Sequence, residues 1–184
     1  MARLKRDDWL HAGLMTLAEH GVETLTIDGM CEQLNVTKGS FYHHFKSRDA
    51  YLEAILTYWE DQYTQEFINI SEQGLTAVEK LGRLQDLVLS SYGSNEVNIR
   101  AWAQTDSMAQ EYQMRVDEKR LAYLYQVQKE LHSNDEIAMG MAHLIYTTLI
   151  GSSQIIPALE QSDLEMMYRL LAKLSTSIQK DDTR

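Results

Sequence analysis

An all-α fold is predicted from three observations on these 184 residues. Apolar side chains recur at three- and four-residue spacing along most of the chain, no run alternates apolar and polar residues as a half-buried strand does, and a single proline accompanies nine glycines. Abundant Leu, Ala, Met, Glu and Gln add helix propensity. The length suits one large helical unit or a small module on a larger body. The elements below favour the second: a three-helix unit over residues 1–46 and a larger helical region over 47–184, about nine helices in all.

Asp7 or Asp8 is placed to cap a first helix from about Asp8 to His20, whose Leu10, Leu14, Leu17 and Ala18 share a face, and Gly21 follows at the position where glycine ends helices. Thr26 caps a second, short helix with Ile27, Met30, Cys31 and Leu34 on its apolar side. Asn35 tolerates the left-handed backbone that closes such a helix, and Val36 plugs the angle after it. Thr37 caps a third helix. Its Phe41 and Phe45, four residues apart, face inward and leave Lys38, Ser40, Tyr42, His43 and His44 outward. Two short helices joined by a tight turn, with phosphate-seeking side chains on the outer face of the second, are laid out to meet a DNA groove.

A fourth helix starts at Ser47 and keeps Leu52, Ile55, Leu56, Trp59, Tyr63, Phe67 and Ile70 on one face for about six turns, long enough to connect two domains. Thr76 with Glu79, Ser133 with Glu136 and Ser162 with Glu165 match capping boxes. They mark helices near Leu75 to Tyr92, from Asn134 to Leu159 with Pro157 near the exit, and from Asp163 to Gln179. A loop at Gly93 to Asn98, a short helix around Trp102 and a long one from about Ser107 to Leu131 lie between.

The net charge of −10 is unevenly spread. Residues 1–50 carry six basic and seven acidic side chains, whereas residues 51–184 carry eleven and twenty. Phosphate would repel the second part, so DNA is expected to approach only the N-terminal end. Arg3, Lys5 and Arg6 are candidates for an arm along the backbone or a minor groove. The lone Cys31 cannot form an internal disulfide and sits on a packing face. No apolar run follows the basic N-terminus, and the longest apolar stretch, Ile137 to Gly151, is too short to span a bilayer, so a soluble, cytoplasmic protein without membrane contact is expected.

Adjacent His43 and His44 point about a hundred degrees apart on a helix and do not share one metal ion. No other His, Cys or carboxylate cluster has ligand spacing, and no nucleophile elbow or phosphate-loop glycine pattern occurs, so neither an enzyme nor a cofactor or metal is expected. Trp59, Tyr63, Trp102, Met108, Tyr112, His143 and Tyr146 are candidates to line a cavity for an apolar or aromatic small molecule, with ordinary core packing as their other use. Gly140, Ala142, Gly151, Ser152 and Ser153 lie among branched apolar residues. Leu164, Met167, Leu170, Leu171, Leu174 and Ile178 follow, and this pattern suits a homodimer packed through the last two helices.

Residues Trp9 to Leu56 resemble the TetR family of bacterial transcriptional regulators. The resemblance is carried by Ala12, Leu14, Gly21, Thr26, Val36, the run Lys38-Gly39-Ser40-Phe41-Tyr42, His44-Phe45 and Ser47-Arg48-Asp49-Ala50. Asn35 replaces the usual turn glycine, Met30-Cys31 a more common Ile-Ala pair, and Arg48 a commoner lysine. The resemblance implies a homodimer that lays its third helix in the major groove of double-stranded operator DNA, and a variable C-terminal domain that often holds a small-molecule effector. Mapped onto this chain it implies phosphate contacts from Thr26, Thr37, Tyr42, His44 and Arg48, with Lys38, Ser40 and His43 nearest the base edges. A ligand-responsive repressor on a palindromic operator is therefore expected. The alternatives are a DNA-bound adaptor without an effector and an enzyme on the same fold.

Overall fold

The computed structural model describes residues 4–91 and 96–181, with side chains as far as residue 178. Among these residues every regular element is helical. They are α1 (Arg6–His20), a 3-10 turn (Val22–Thr24), α2 (Ile27–Gln33), α3 (Lys38–His44), α4 (Arg48–Glu60), a π-helical segment (Asp61–Gln65), α5 (Glu66–Ser71), α6 (Ala77–Ser90), α7 (Glu96–Ala103), α8 (Ser107–Leu131), α9 (Asp135–Ser152) and α10 (Gln161–Asp181). α4, the π segment and α5 follow one another without a break, so the described residues form nine separate helical rods.

Several helix ends differ from expectation. Lys5 is the N-cap of α1, and Asp8 instead accepts the Lys5 N–H at 2.6 Å from inside the first turn. Thr26, Ser47 and Thr76 do cap, taking the N–H groups of Gly29, Ala50 and Glu79. Asn134 rather than Ser133 caps α9, because its amide oxygen reaches both Glu136 and Ile137 N–H, at 2.8 and 3.2 Å. α10 begins at Gln161, ahead of Ser162. α9 stops at Ser152, well short of Leu159: Pro157 has no N–H to give a helix and disfavours helical backbone at Ile156. α7 starts at Glu96, so the later part of the expected 93–98 loop is helical; Arg3, Tyr92 and residues 93–95 lie outside the described residues.

The π segment changes which face of the fourth helix is buried. Leu52, Ile55, Leu56 and Trp59 are buried as their spacing predicts, but beyond them Thr64 and Ser71 are buried while Tyr63, Phe67 and Ile70 are half-buried. A π turn takes in an extra residue, so the inward face moves on by one position. The two hydroxyls this buries are satisfied: Arg120 Nε donates to Thr64 Oγ1 at 2.9 Å, and Tyr123 Oη donates to Ser71 Oγ, which itself donates to the Lys80 carbonyl, both at 2.7 Å.

The chain divides into two compact units. The first comprises described residues through Tyr63 together with 96–115, so it extends beyond 1–46 to take in α4, α7 and the start of α8. Its core joins Leu10, Leu14 and Leu17 of α1 to Leu52 and Ile55 of α4 and to Ile99 and Trp102 of α7. Each such side chain, fully buried, contributes about 1.5–3 kcal/mol of transfer free energy. The second unit holds residues from Thr64 to 91 and from Val116 onward. Leu124, Ala142 and Tyr146 form one of its core clusters, against which Leu81, Leu84 and Ile145 pack.

Candidate nucleic-acid interface

The turn between α2 and α3 is built by backbone chemistry. Asn35 adopts φ 52°, its N–H donates to the Glu32 carbonyl at 3.0 Å, and the Val36 N–H donates to that of Cys31 at 2.9 Å. These paired bonds satisfy the last carbonyls of α2 and redirect the chain into Thr37. Burial, then the nearby Asp28 charge, pushes the Cys31 thiol above its ordinary pKa of 9.0, so this buried side chain acts as packing.

α3 stands on an aromatic cluster. Phe41, fully buried, meets Trp9 edge-on at 5.6 Å and Tyr51 at 5.4 Å, and Phe45 meets Tyr51 at 4.7 Å. Tyr51 Oη donates to the Trp9 carbonyl at 2.7 Å, and burial moves its pKa well above the tyrosine range, keeping it a donor. Trp9 and Tyr51 are core members that the helical spacing of Phe41 and Phe45 does not reveal. The signal for them is Gly13, an otherwise costly residue inside α1, which leaves room for Tyr51.

With its inner face fixed in this way, α3 presents Thr37, Lys38, Tyr42 and His43 as exposed side chains, with Ser40 half-buried among them. Tyr42 is 54% exposed although its ring edge contacts Phe41. Thr37 occupies the N-cap position but makes no side-chain cap bond, whereas the Thr26 hydroxyl accepts the Gly29 N–H at 3.0 Å. Lys38 Nζ pairs with Asp28 at 2.6 Å; this hydrogen bond, then the carboxylate charge, raises the lysine pKa. Both partners are mostly exposed, so the pair adds little stability. His44 is half-buried, with Nε2 at 3.2 Å from the Leu4 carbonyl, and the Arg6 guanidinium lies 5.4 Å from the Phe45 ring centre. Arg48 turns inward: Nε donates to the Leu25 carbonyl at 2.7 Å and a terminal nitrogen donates to that of Val22 at 3.1 Å. It thereby ties the start of α4 to the turn before α2, a role its sequence position does not disclose.

Residues 10–55 match the family model described as bacterial regulatory proteins, tetR family. By this N-terminal region, the chain is similar to the TetR family. HTH-type transcriptional repressor KstR2 of Mycolicibacterium smegmatis is 27% identical over 92 residues, which are 50% of this chain and 43% of that protein. Transcriptional regulator AcuR of Cereibacter sphaeroides is 29% identical over 96 residues, 50% of this chain and 44% of that protein. The chain thus spans less than half the length of these curated relatives in the matched region. A solved transcriptional regulator from Rhodococcus sp. Rha1 aligns with a TM-score of 0.77 at 17% identity, over 95% of this chain and 97% of that one, which shows a shared fold.

Of the seven candidate cavity residues, five lie in the first compact unit and two in the second. Trp59 and Trp102 are buried in the core of the first unit. Tyr63, Met108 and Tyr112 are half-buried there, and the Tyr112 hydroxyl is 2.7 Å from Thr57 Oγ1 with the Arg115 guanidinium over its ring. His143 is exposed on α9, its Nδ1 3.0 Å from the Met139 carbonyl. Tyr146 alone of the seven lines an open-mouthed apolar cleft in the second unit, which encloses about 520 Å³ with its mouth. Leu81, Leu84 and Val88 of α6, Ile145 and Leu149 of α9 and Leu171 of α10 make most of its walls. Aromatic candidates reveal this site only through Tyr146, because aliphatic residues of α6 and α9 supply much of its lining. Among the described residues no group of three or more His, Cys, Asp or Glu could hold a metal ion, and no helix is long and apolar enough to cross a membrane.

Proposed function

We propose that the chain is a transcriptional repressor that binds a palindromic operator as a homodimer and releases it when a small molecule occupies the second unit. The observation that carries the DNA part is the exposed set Thr37, Lys38, Tyr42 and His43 on a helix whose opposite face is locked by Trp9, Phe41, Phe45 and Tyr51. A groove-reading helix needs such a fixed backing, because an error of even one ångström in its position loses hydrogen bonds to base edges. Residues 1–46 act as the reading module and 47–184 as the body. Thr26, Thr37, Tyr42 and His44 position the phosphates, Lys38, Ser40 and His43 face the bases, and Arg48 acts by holding the turn as well as by charge.

Dimerisation through α9 and α10 is supported by their exposed Met139, Leu144, Met166, Leu170 and Leu174, and by Gly140 and Gly151, where an added Cβ would meet nothing within 4 Å. The repressor sign follows the name of the KstR2 relative, and the apolar cleft favours an effector over a pure adaptor. Selection of bound sites from random DNA should yield a two-fold symmetric sequence. Tyr42→Ala should lower affinity for it by roughly tenfold or more, since a good contact is worth about 1–3 kcal/mol. Asymmetric selected sites, or an unaffected variant, would overturn the operator reading.

A further inference from the structure

We infer that the cleft of the second unit takes a neutral, largely apolar molecule bearing one hydroxyl, an alcohol or a phenol, and rejects a carboxylate of the same skeleton. The inference rests on the effector reading above and specifies its chemistry. Three features of the lining lead to it.

First, among the described residues the lining contains no Lys, Arg, His, Asp or Glu. An ionised ligand would leave water without a counter-charge, and that desolvation is not repaid by aliphatic walls. Second, two of the hydroxyls on the lining have their protons committed. Tyr146 Oη donates to Asp117 Oδ1 at 2.6 Å, and the fully buried Ser175 Oγ donates to Gln128 Oε1 at 3.3 Å. What these oxygens offer a ligand is lone pairs, which suit a hydroxyl proton and oppose carboxylate oxygens. Gln128 is itself fully buried, and its Nε2 has no acceptor among the described residues. Third, Gln85 adds an amide to the lining, able to meet the ligand oxygen.

The test uses the full chain and a matched pair, para-propylphenol and para-propylbenzoate, with binding followed by calorimetry and operator release followed separately by fluorescence anisotropy. The phenol should bind about tenfold or more tighter than the benzoate. Ala172→Phe, which fills the cleft from α10, should abolish phenol binding. Ser175→Ala should weaken it severalfold, with thermal melts showing both variants folded. Equal or tighter benzoate binding, binding of neither compound, or full phenol binding in folded Ala172→Phe would each overturn the inference. Phenol binding that leaves the operator complex intact would uphold the ligand class and sink the effector reading; operator release by the benzoate alone would do the reverse.

Discussion

At Gly13 a hydrogen stands where any side chain would strike the Tyr51 hydroxyl and Ile55. Alanine is the better helix former by about 1 kcal/mol, but overpacking a tight core costs about 1–3 kcal/mol, and the rigid Tyr51, held to the Trp9 carbonyl, has little room to yield. Gly13→Ala should therefore lower the melting temperature, and an equal or higher value would show that the aromatic cluster yields. Arg48 presents a different case. Its two bonds reach carbonyls 23 and 26 residues earlier in the chain, and charged hydrogen bonds are worth about 1.5–3 kcal/mol, less where solvent reaches them. Arg48→Lys keeps the charge and loses the two-point grip, so its stability in denaturant titration should fall nearly as far as that of Arg48→Ala. Wild-type stability in the lysine variant would assign Arg48 to charge alone. Spacing does not disclose this role, because it depends on where the Val22 and Leu25 carbonyls point after the chain turns at Gly21, φ 80°.

At the scale of elements, the helices themselves were legible from three-four spacing and caps, while their phase and ends were not always so. Thr26, Ser47 and Thr76 are caps as read, but Asn134 displaces Ser133 because the more favourably placed of two adjacent capping side chains prevails. The π segment at Asp61–Gln65 shifts burial from Tyr63 to Thr64 and from Ile70 to Ser71, a change that apolar periodicity cannot announce because it buries hydroxyls. On α10, Met166, Leu170 and Leu174 repeat every four residues and are each about half exposed. A stripe of that kind suits the interface proposed for a dimer. Leu170→Glu should weaken dimerisation by roughly tenfold or more, as for a central interface residue, in sedimentation at dilute concentration. A dimer of unchanged strength would place the interface elsewhere.

At the scale of the whole molecule, the charge division bears on the proposed DNA contact. The acidic excess beyond residue 50, twenty against eleven, repels phosphate, while residues 1–50 are close to neutral with six basic side chains against seven acidic. Under the proposed function, specific binding rests on a few well-placed contacts, and operator affinity should fall with rising salt at a log-log slope of about −0.9 per phosphate neutralised. A flat dependence would remove the phosphate-contact role proposed for α3. The candidate interface was largely legible because its residues lie within one short segment, where position in a helix dictates facing. The cleft of the second unit was less so, since its walls come from α6, α8, α9 and α10, and Tyr146 is the one residue singled out for a cavity that lines it.

Local chemistry written within about one helical turn was determined by the sequence itself: the all-α class, the left-handed turn at Asn35, the capped start of α2 and the outward set on α3. What only the tertiary structure decided are matters of convergence between distant segments. Arg48 meets Leu25 and Val22, Tyr51 fills the space beside Gly13, and side chains from four helices line a cleft in which the Tyr146 and Ser175 protons are already committed. Periodicity shows that a face is buried, but the partners across it depend on packing, and packing is settled by shape among residues that the sequence keeps far apart.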